Sequence, residues 1–237
     1  RFDGIAAAWV LDTGTGRVAA WNADARFPAA SMVKLGVMIE AARRMGASPG
    51  RSPLAADVVA IGGWSSNLAV NRLLPRVGGA RTVERRLQRM GATRSTFTGG
   101  YQVASESGAR AGSPTAASRR VTTAADLGRV LHVVHASARG DVAARRGSGL
   151  TPRQARFVLG TLYGAERRGD NAGILGVPAS SIAAQKHGWI RSVRHSAAII
   201  ATADGPRIVV AMTWSPGLAR ARARVFGAEV LGVASRM

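Results

Sequence analysis

A buried helix that carries a lysine constrains the fold more than any other stretch of this sequence. Residues 32–42 are all apolar or small except Lys34 and Glu40, which indicates a helix surrounded by other elements. Ser31 stands just before this run, where a helix cap would lie, and Lys34 follows one turn later on the same face. A buried amine is costly unless it is paired or loses its proton, and a deprotonated amine beside a hydroxyl is a base beside a nucleophile.

The plainer alternative is a capping serine followed by a lysine that reaches out to solvent, because Ser-x-x-Lys often occurs by chance. The choice of basic residues favours the chemical interpretation. Of 33 basic residues only Lys34 and Lys186 are lysine. Arginine keeps its proton in proteins, whereas lysine can release it. A chain that uses arginine almost throughout has therefore kept lysine at two positions, and both lie in motifs.

Composition limits the classes of protein to which the chain can belong. Its 237 residues suffice for one sizeable core, and no apolar run approaches the ~20 residues of a membrane span. Cysteine is absent, which excludes disulfides and thiolate metal sites. His132 and His135 share a helix face, but a pair at this spacing more often packs or lies at the surface than binds metal. We therefore expect no metal and no cofactor.

The net charge of +20 is the most unusual property of the composition. It is compatible with nucleic acid, with an anionic wall or membrane surface, or with a coding bias towards arginine. The arginines are dispersed as pairs, and only five Phe and two Tyr are available for base stacking. The sequence therefore predicts loose association with polyanions and no specific nucleic-acid binding.

Patterns of apolar and turn residues predict an α+β fold. Strands are predicted near both ends of the chain, at 4–12, 17–22, 181–189, 193–203 and 207–214. Helices are predicted between and after them, at 32–42, 68–74, 80–90, 123–136, 151–163 and 217–233. The strands would form one antiparallel five-stranded sheet flanked by helices. We expect a single domain, with a sheet lobe of about 1–30 and 175–237 and an inserted all-helical lobe of about 31–174.

Three short motifs follow one another along the chain: Ser31-x-x-Lys34, Ser65-Ser66-Asn67 and Lys186-His187-Gly188. In this order they resemble the motifs Ser-x-x-Lys, Ser-Asp-Asn and Lys-Thr-Gly of the penicillin-recognising serine enzymes. Five further segments look like segments of class A β-lactamases: 10–17, 27–31, 67–74, 122–127 and 203–207. The resemblance covers nearly the whole chain, and the fold of that superfamily agrees with the predicted layout.

The resemblance implies roles for the residues that match. Ser31 would attack a β-lactam carbonyl to form an acyl-enzyme, activated by neutral Lys34 or by a water that Lys34 helps to position. Ser65 would relay a proton to the leaving nitrogen. Lys186 would add positive potential beside Ser65 and attract the substrate carboxylate.

Substrate binding is assigned in the same way. Asn67 would hydrogen-bond the amide side chain of the substrate, and the backbone amides of Ser31 and Trp189 would form the oxyanion hole. His187 and Gly188 complete this set, because they follow Lys186 in the third motif. Since His187 replaces a threonine, we expect it to donate to a carboxylate and to titrate near neutrality.

The chain departs from the class A pattern at the deacylation step. Class A enzymes carry a water-activating glutamate in Glu-x-x-x-Asn, and the equivalent position here falls near Tyr101. Glu106 is the only acidic residue between 91 and 120, and Arg110 follows it where asparagine would be expected. A tyrosine is no obvious base for water. The resemblance therefore supports acylation but not fast hydrolysis.

Three functions remain open. The first, which we favour, is a β-lactamase, with Glu106 in a rebuilt deacylation step. The second is an acyl-transfer enzyme acting on peptidoglycan stem peptides, as in penicillin-binding proteins. The third is a wall-binding module that acylates slowly or not at all. In each case we expect a small-molecule ligand (a β-lactam or a peptidoglycan-like peptide), no membrane span, a monomer and an extracytoplasmic location, with any signal peptide outside the printed sequence.

Overall fold

A five-stranded antiparallel sheet forms the centre of the computed structural model, which describes residues 2–103, 120–163 and 173–237. Its strands are β1 (Ile5–Asp12), β2 (Val18–Trp21), β5 (Ala183–Ile190), β6 (Val193–Ile200) and β7 (Arg207–Trp214). They lie in the order β2-β1-β7-β6-β5, so that strands from the two ends of the chain pair directly. A separate two-stranded pair joins β3 (Phe27–Pro28) to β4 (Val121–Thr122). The predicted fold class is confirmed.

Helices cover both faces of the sheet. They are α1 (Lys34–Arg43), α2 (Ala55–Trp64), α3 (Asn67–Arg76), α4 (Gly79–Arg89), α5 (Ala124–Ala138), α6 (Val142–Ser148), α7 (Pro152–Leu162) and α8 (Arg220–Ala234). Successive side chains of a strand point to opposite faces. Accordingly, Ala6 and Val10 of β1 pack in the core beneath α8, whereas Trp9 and Leu11 pack in the larger core that includes α1 and α5. The division into two lobes stays a prediction.

Helix α1 is buried, as the apolar run predicts. Every residue from Lys34 to Ala42 is buried. The beginning of the helix differs from the expectation, because Ser31 does not cap it. Residues 31–33 form turns in which the amide of Lys34 donates to the carbonyl of Ser31 at 3.3 Å. Ser31 therefore lies one tight turn ahead of the helix, after Ala30 with its left-handed φ of 46°.

The second motif joins two helices through an unusual backbone conformation. Ser65 ends α2 in the left-handed region, with φ 62° and ψ 33°, where residues other than glycine are strained. Ser66 then caps α3, because its Oγ accepts a hydrogen bond from the amide of Ala69 at 3.1 Å. Serine and aspartate are both favourable N-caps, so Ser66 can serve where the Ser-Asp-Asn motif that this segment resembles has aspartate. The predicted helix N-terminus is confirmed.

Two helices lie in stretches for which the sequence analysis predicts neither helix nor strand. They are α2 and α6. Asp141 caps α6 through a bond from the amide of Ala144 at 2.7 Å. The 91–120 stretch, in which Glu106 is the only acidic residue, is described only to residue 103 and at residue 120. Glu106 lies outside the described residues.

A buried carboxylate ties α1 to α4. Glu40 accepts bonds from Arg86 at 2.7 Å and from Arg44 at 2.6 Å. Both Glu40 and Arg86 are almost fully buried. Burial alone would raise the pKa of Glu40, but the bonds from Arg86 and Arg44 outweigh it and hold the pKa below its ordinary value. The carboxylate is therefore ionised at neutral pH and pairs with its arginines.

Replacing this carboxylate is expected to destabilise the protein strongly. Glu40→Gln leaves Arg86 buried without its counter-charge, which costs ~3–5 kcal/mol for a buried pair. The free energy of unfolding, measured by urea titration at pH 7, should fall by that amount. Glu229→Gln, on the exposed side of α8, is the matched control and should change it by no more than ~0.5 kcal/mol. Equal changes in the free energy of unfolding in the two variants would show that the buried ion pair contributes no more to stability than an exposed glutamate.

Candidate active site

The two lysines of the chain meet at one hydroxyl. Lys186 Nζ lies 2.8 Å from Ser65 Oγ, and Lys34 Nζ lies 3.4 Å from the same oxygen. Lys186 comes from β5 and Lys34 from the first turn of α1, and both side chains are buried. The three motifs, far apart in sequence, therefore lie together in space.

The amine of Lys34 is surrounded by groups that accept hydrogen bonds from it or pack against it. It donates to the main-chain carbonyl of Ser65 and to Asn67 Oδ1, the latter at 2.5 Å. On another side it lies 4.4 Å from the centre of the Tyr101 ring. These contacts hold the amine in one position despite its burial.

Gly188 allows β5 to approach the turn that contains Ser31. A Cβ atom at this position would lie 3.0 Å from the amide nitrogen of Ser31 and 3.0 Å from a side-chain carbon of Met32. A larger residue would force the strand away from that turn. The predicted binding residue Gly188 is thus a position where close backbone contact requires glycine. The backbone of β5 passes the Ser31 amide here, and Trp189 is the next residue along the strand.

Two asparagines of helix α3 hold the segment that contains Tyr101 and Gln102. Asn67 Nδ2 donates to the carbonyl of Gln102 at 2.7 Å. One turn later, Asn71 accepts from the amide of Tyr101 at 2.8 Å and donates to its carbonyl at 2.7 Å. Sequence analysis did not identify Asn71, although its spacing of four residues from Asn67 on a predicted helix places the two on one face.

Tyr101 fills the position beside Lys34 where the resemblance leads one to expect a glutamate. Its hydroxyl donates to the carbonyl of Ala30 at 3.1 Å, and the guanidinium of Arg120 lies 3.9 Å from its ring centre. Burial raises the pKa of the Tyr101 phenol well above its ordinary value, although the charge of Arg120 acts in the opposite direction. The phenol is therefore neutral at physiological pH, in agreement with the expectation that it is no base.

His187 differs from its prediction. The side chain is buried, and Nδ1 lies 2.9 Å from Ser196 Oγ on the neighbouring strand. Burial lowers the pKa of His187 to about 3, with further lowering by the charges of Lys186 and Arg220. The prediction that it titrates near neutrality is therefore wrong, because a buried imidazole between cations does not take up a proton at pH 7.

His195, which the sequence did not single out, joins the sheet to the chain that leads to Ser31. Its Nδ1 accepts from the amide of Thr213 at 3.3 Å, so Nε2 carries the proton and donates to the carbonyl of Pro28 at 2.9 Å. The imidazole is fully buried and contacts Phe27 edge-on, with ring centres 5.6 Å apart. Burial lowers the pKa of His195 to about 4, although the bonds to the backbone act in the opposite direction.

Several of these residues line a cleft of about 450 Å³. Its lining contains residues from all three motifs and from the segment after α4: Ser31, Trp64, Ser65, Ser66, Asn67, Leu68, Gln102, Val103, His187 and Trp189. The lining therefore combines polar side chains with four apolar or aromatic ones. Such a cleft can hold an acyl donor against a hydroxyl that has an amine and a second hydroxyl nearby.

Comparison with protein families agrees with this arrangement. A model described as the beta-lactamase enzyme family matches residues 1–52 and 54–229. The chain belongs to this family. Membership makes the protein a serine hydrolase of the β-lactamase type. No curated protein sequence matches the chain.

Solved structures share the fold at low sequence identity. PBP-A superposes with a TM-score of 0.75 at 17% identity, covering 98% of this chain and 91% of that chain. The β-lactamase of Sphaerobacter thermophilus gives 0.74 at 20% identity, with 98% and 90% covered. The class A β-lactamase of the last common ancestor of Gram-negative bacteria gives 0.73 at 22% identity, with 100% and 95% covered.

The buried histidines predict a stability that declines in mild acid. Between ~6.5, the ordinary pKa of histidine, and the lowered pKa of about 4, the unfolded chain binds a proton that folded His195 does not. The free energy of unfolding therefore falls as the pH falls through this window, by at most ~1.4 kcal/mol per pH unit for each such histidine. His187 adds to the slope in the same direction.

Urea titrations at several pH values between 7.5 and 4.5 measure this slope. His195→Gln should reduce the slope by up to ~1.4 kcal/mol per pH unit, the contribution of one proton, because the group that titrates differently in the folded and unfolded states is gone. Gln88→Ala, at an exposed position of α4 without an ionisable group, is the control and should leave the slope as it is. An unchanged slope in His195→Gln would contradict the burial of a neutral imidazole.

Proposed function

We propose that the protein is a serine hydrolase that β-lactams acylate at Ser31 and that releases the acyl group slowly. The observation that carries the proposal is the Tyr101 ring packed against the Lys34 amine, at 4.4 Å. In the class A pattern this place belongs to the glutamate that activates the deacylating water. A neutral, buried phenol cannot take a proton from water at physiological pH. The residues needed for acylation are therefore present, whereas Tyr101 supplies no base for hydrolysis.

Acylation begins with the Ser31 hydroxyl. A neutral Lys34 amine has two N–H groups, which suit the Ser65 carbonyl and Asn67 Oδ1, and a lone pair that can accept the Ser31 proton. Ser31 Oγ then bonds to the β-lactam carbonyl carbon, and negative charge develops on the carbonyl oxygen. The backbone N–H groups of Ser31 and Trp189 would stabilise that charge, each contributing roughly 10²–10³ in rate.

Ring opening follows through the second hydroxyl. The C–N bond breaks as Ser65 donates its proton to the leaving nitrogen, and the Lys34 ammonium, 3.4 Å away, returns a proton to Ser65 Oγ. Lys186, at 2.8 Å, keeps positive charge beside this oxygen throughout. The step leaves an ester on Ser31 and regenerates neutral Lys34.

Substrate binding uses the remaining motif residues. The Asn67 amide nitrogen carries two hydrogens, of which one reaches Gln102, so the second can meet the amide carbonyl of a substrate. Lys186 attracts the substrate carboxylate. His187 lines the cleft with a buried, neutral imidazole, so it contributes shape but no charge. Gly188 lets β5 lie beside the Ser31 amide.

A second candidate is acyl transfer to an amine of a peptidoglycan-like peptide. It uses the same acyl-enzyme, but an amine, which needs less activation than water, releases the acyl group. The fold likeness to PBP-A and the absence of a base at Tyr101 favour it over fast β-lactam hydrolysis. A mutant of PBP-A, similar at 18% identity with a TM-score of 0.72, has been solved as an acyl-enzyme complex with penicillin G. The β-lactamase with Glu106 as base, which the sequence favours, draws no support from the described residues, because Glu106 lies outside them.

We also infer the setting in which the enzyme works. Among the described residues, no helix is long and apolar enough to span a bilayer. A net charge of +20 suits the anionic polymers of a bacterial envelope, which favours an extracytoplasmic location. We propose a monomer acting on a small molecule, because the motif residues of one chain complete the site.

A time course with penicillin G tests the proposal. We expect one stoichiometric burst and a lasting mass increase equal to the intact penicillin, located on Ser31 by peptide mapping. Intact-mass spectrometry and product absorbance on the same samples give both readouts. Ser31→Ala is the control and should show neither. Steady turnover without a lasting adduct would contradict slow release, and the absence of both signals would overturn the acyl-enzyme proposal.

Replacing the tyrosine tests why release is slow. Tyr101→Glu puts a carboxylate beside Lys34 and should shorten the lifetime of the adduct by at least about tenfold, since positioned general bases contribute ~10²–10⁴ in rate. Tyr101→Leu removes the phenol without adding a base and is the matched control. Adduct formation on Ser31 verifies that each variant is folded. Equal lifetimes in the two variants would show that the missing base does not limit release.

A further inference from the structure

Two tryptophans lie at the cleft with much of their surface uncovered. Trp64 is the last residue of α2 and Trp189 lies on β5, and they are 54% and 56% exposed. Both line the cleft that contains Ser31. Large aromatic side chains usually bury most of their surface, so two of them at one cleft indicate a ligand with an apolar face.

The backbone holds Trp64 in a fixed place. The next two residues turn back onto α2, where the amide of Ser65 donates to the carbonyl of Ile61 at 3.1 Å and the amide of Ser66 donates to Ala60 at 3.2 Å. Trp64 is therefore attached directly to the turn that carries the Ser65 hydroxyl. A group inside the cleft that contacts this indole therefore lies beside the residue that carries the Ser65 hydroxyl.

Trp189 is held by its neighbour across the hairpin. It pairs with Arg194 of β6, whose guanidinium lies 5.1 Å from the centre of the indole ring. Arg194 Nη1 also donates to the carbonyl of Ile190 at 3.2 Å. The guanidinium supports the ring by a cation–π contact, and the indole surface that stays exposed is the part that a ligand can contact. A site formed before binding loses little conformational freedom when it is filled.

Two further residues that line the same cleft, Leu68 and Val103, are apolar. Together with the two indoles they give the cleft an apolar part, beside the polar side chains that also line it. A flat hydrocarbon group would gain both apolar contact and ring packing against the indoles.

We propose that Trp64 and Trp189 form an aromatic subsite that binds a flat apolar group, such as an aryl ring, on the amide side chain of the acyl donor. The inference rests on the proposed function, because it names the substrate class of the same Ser31 cleft. Selectivity for aryl acyl donors then comes from the two indoles, and reactivity comes from the residues around Ser31.

A matched pair of penicillins tests this subsite. One carries a phenylacetyl side chain and the other an acetyl side chain, so both have the same ring and amide and differ only in the aryl group. The second-order rate constant of acylation is measured for each by intact-mass spectrometry. Their ratio is the readout, because loss of folded protein lowers both rates equally and cancels.

The wild-type ratio should favour the aryl penicillin, and Trp64→Ala and Trp189→Ala should each lower it about three- to tenfold. Trp64→Phe, which keeps an aromatic face, should retain most of it. Trp21→Ala is the matched control, because Trp21 is 58% exposed but lies on β2 and is not part of the cleft lining.

The outcomes separate the two proposals. A wild-type ratio near one, or a ratio unchanged in both alanine variants while acylation persists, would overturn the aromatic subsite and leave the proposed function intact. Failure of both penicillins to acylate the wild-type protein would overturn the proposed function and, with it, the subsite. An equal fall in Trp21→Ala would show that the effect does not come from the cleft.

Discussion

The Lys34 amine is buried, and its burial requires helix α1 to be packed against several other segments. A buried amine needs acceptors around it, and they come from separate parts of the chain: the Ser65 carbonyl at the end of α2, the Asn67 side chain at the start of α3, and the Tyr101 ring. Bringing them together requires α1 to be enclosed by its neighbours. The helices therefore pack around one side chain that is also the best candidate for the base of the reaction.

The contact between sheet and helices places this amine at an accessible cleft. Gly188 lets β5 lie against the turn of Ser31, and Lys186 reaches from the same strand to the Ser65 hydroxyl. His195 connects the sheet to Pro28, three residues before Ser31. Because these contacts involve backbone atoms or fully buried groups, small shifts of the sheet would change the geometry at Ser31. The same contacts therefore contribute both to the stability of the fold and to the proposed chemistry.

Local patterns predicted the elements that have strong local signals and missed those that lack them. The five strands follow from short, mainly apolar runs bounded by turn residues. Helix α2 was missed because its apolar residues are too continuous to show a helical period, and α6 because arginine and glycine dominate its sequence. The pair β3–β4 has two residues in each strand, so only the distant partner defines it. Asn71 was missed because its role depends on where Tyr101 lies.

The buried helix, the two lysines and the order of the three motifs can be predicted from the sequence, because they depend on residue type and spacing alone. Three other features follow only from the fold: the His187 imidazole is neutral and buried between cations, the Tyr101 ring packs against the Lys34 amine, and Trp64 and Trp189 line one cleft. Burial and charge environment arise from residues that are far apart along the chain. Their effect on a side chain is therefore defined only when the chain is folded.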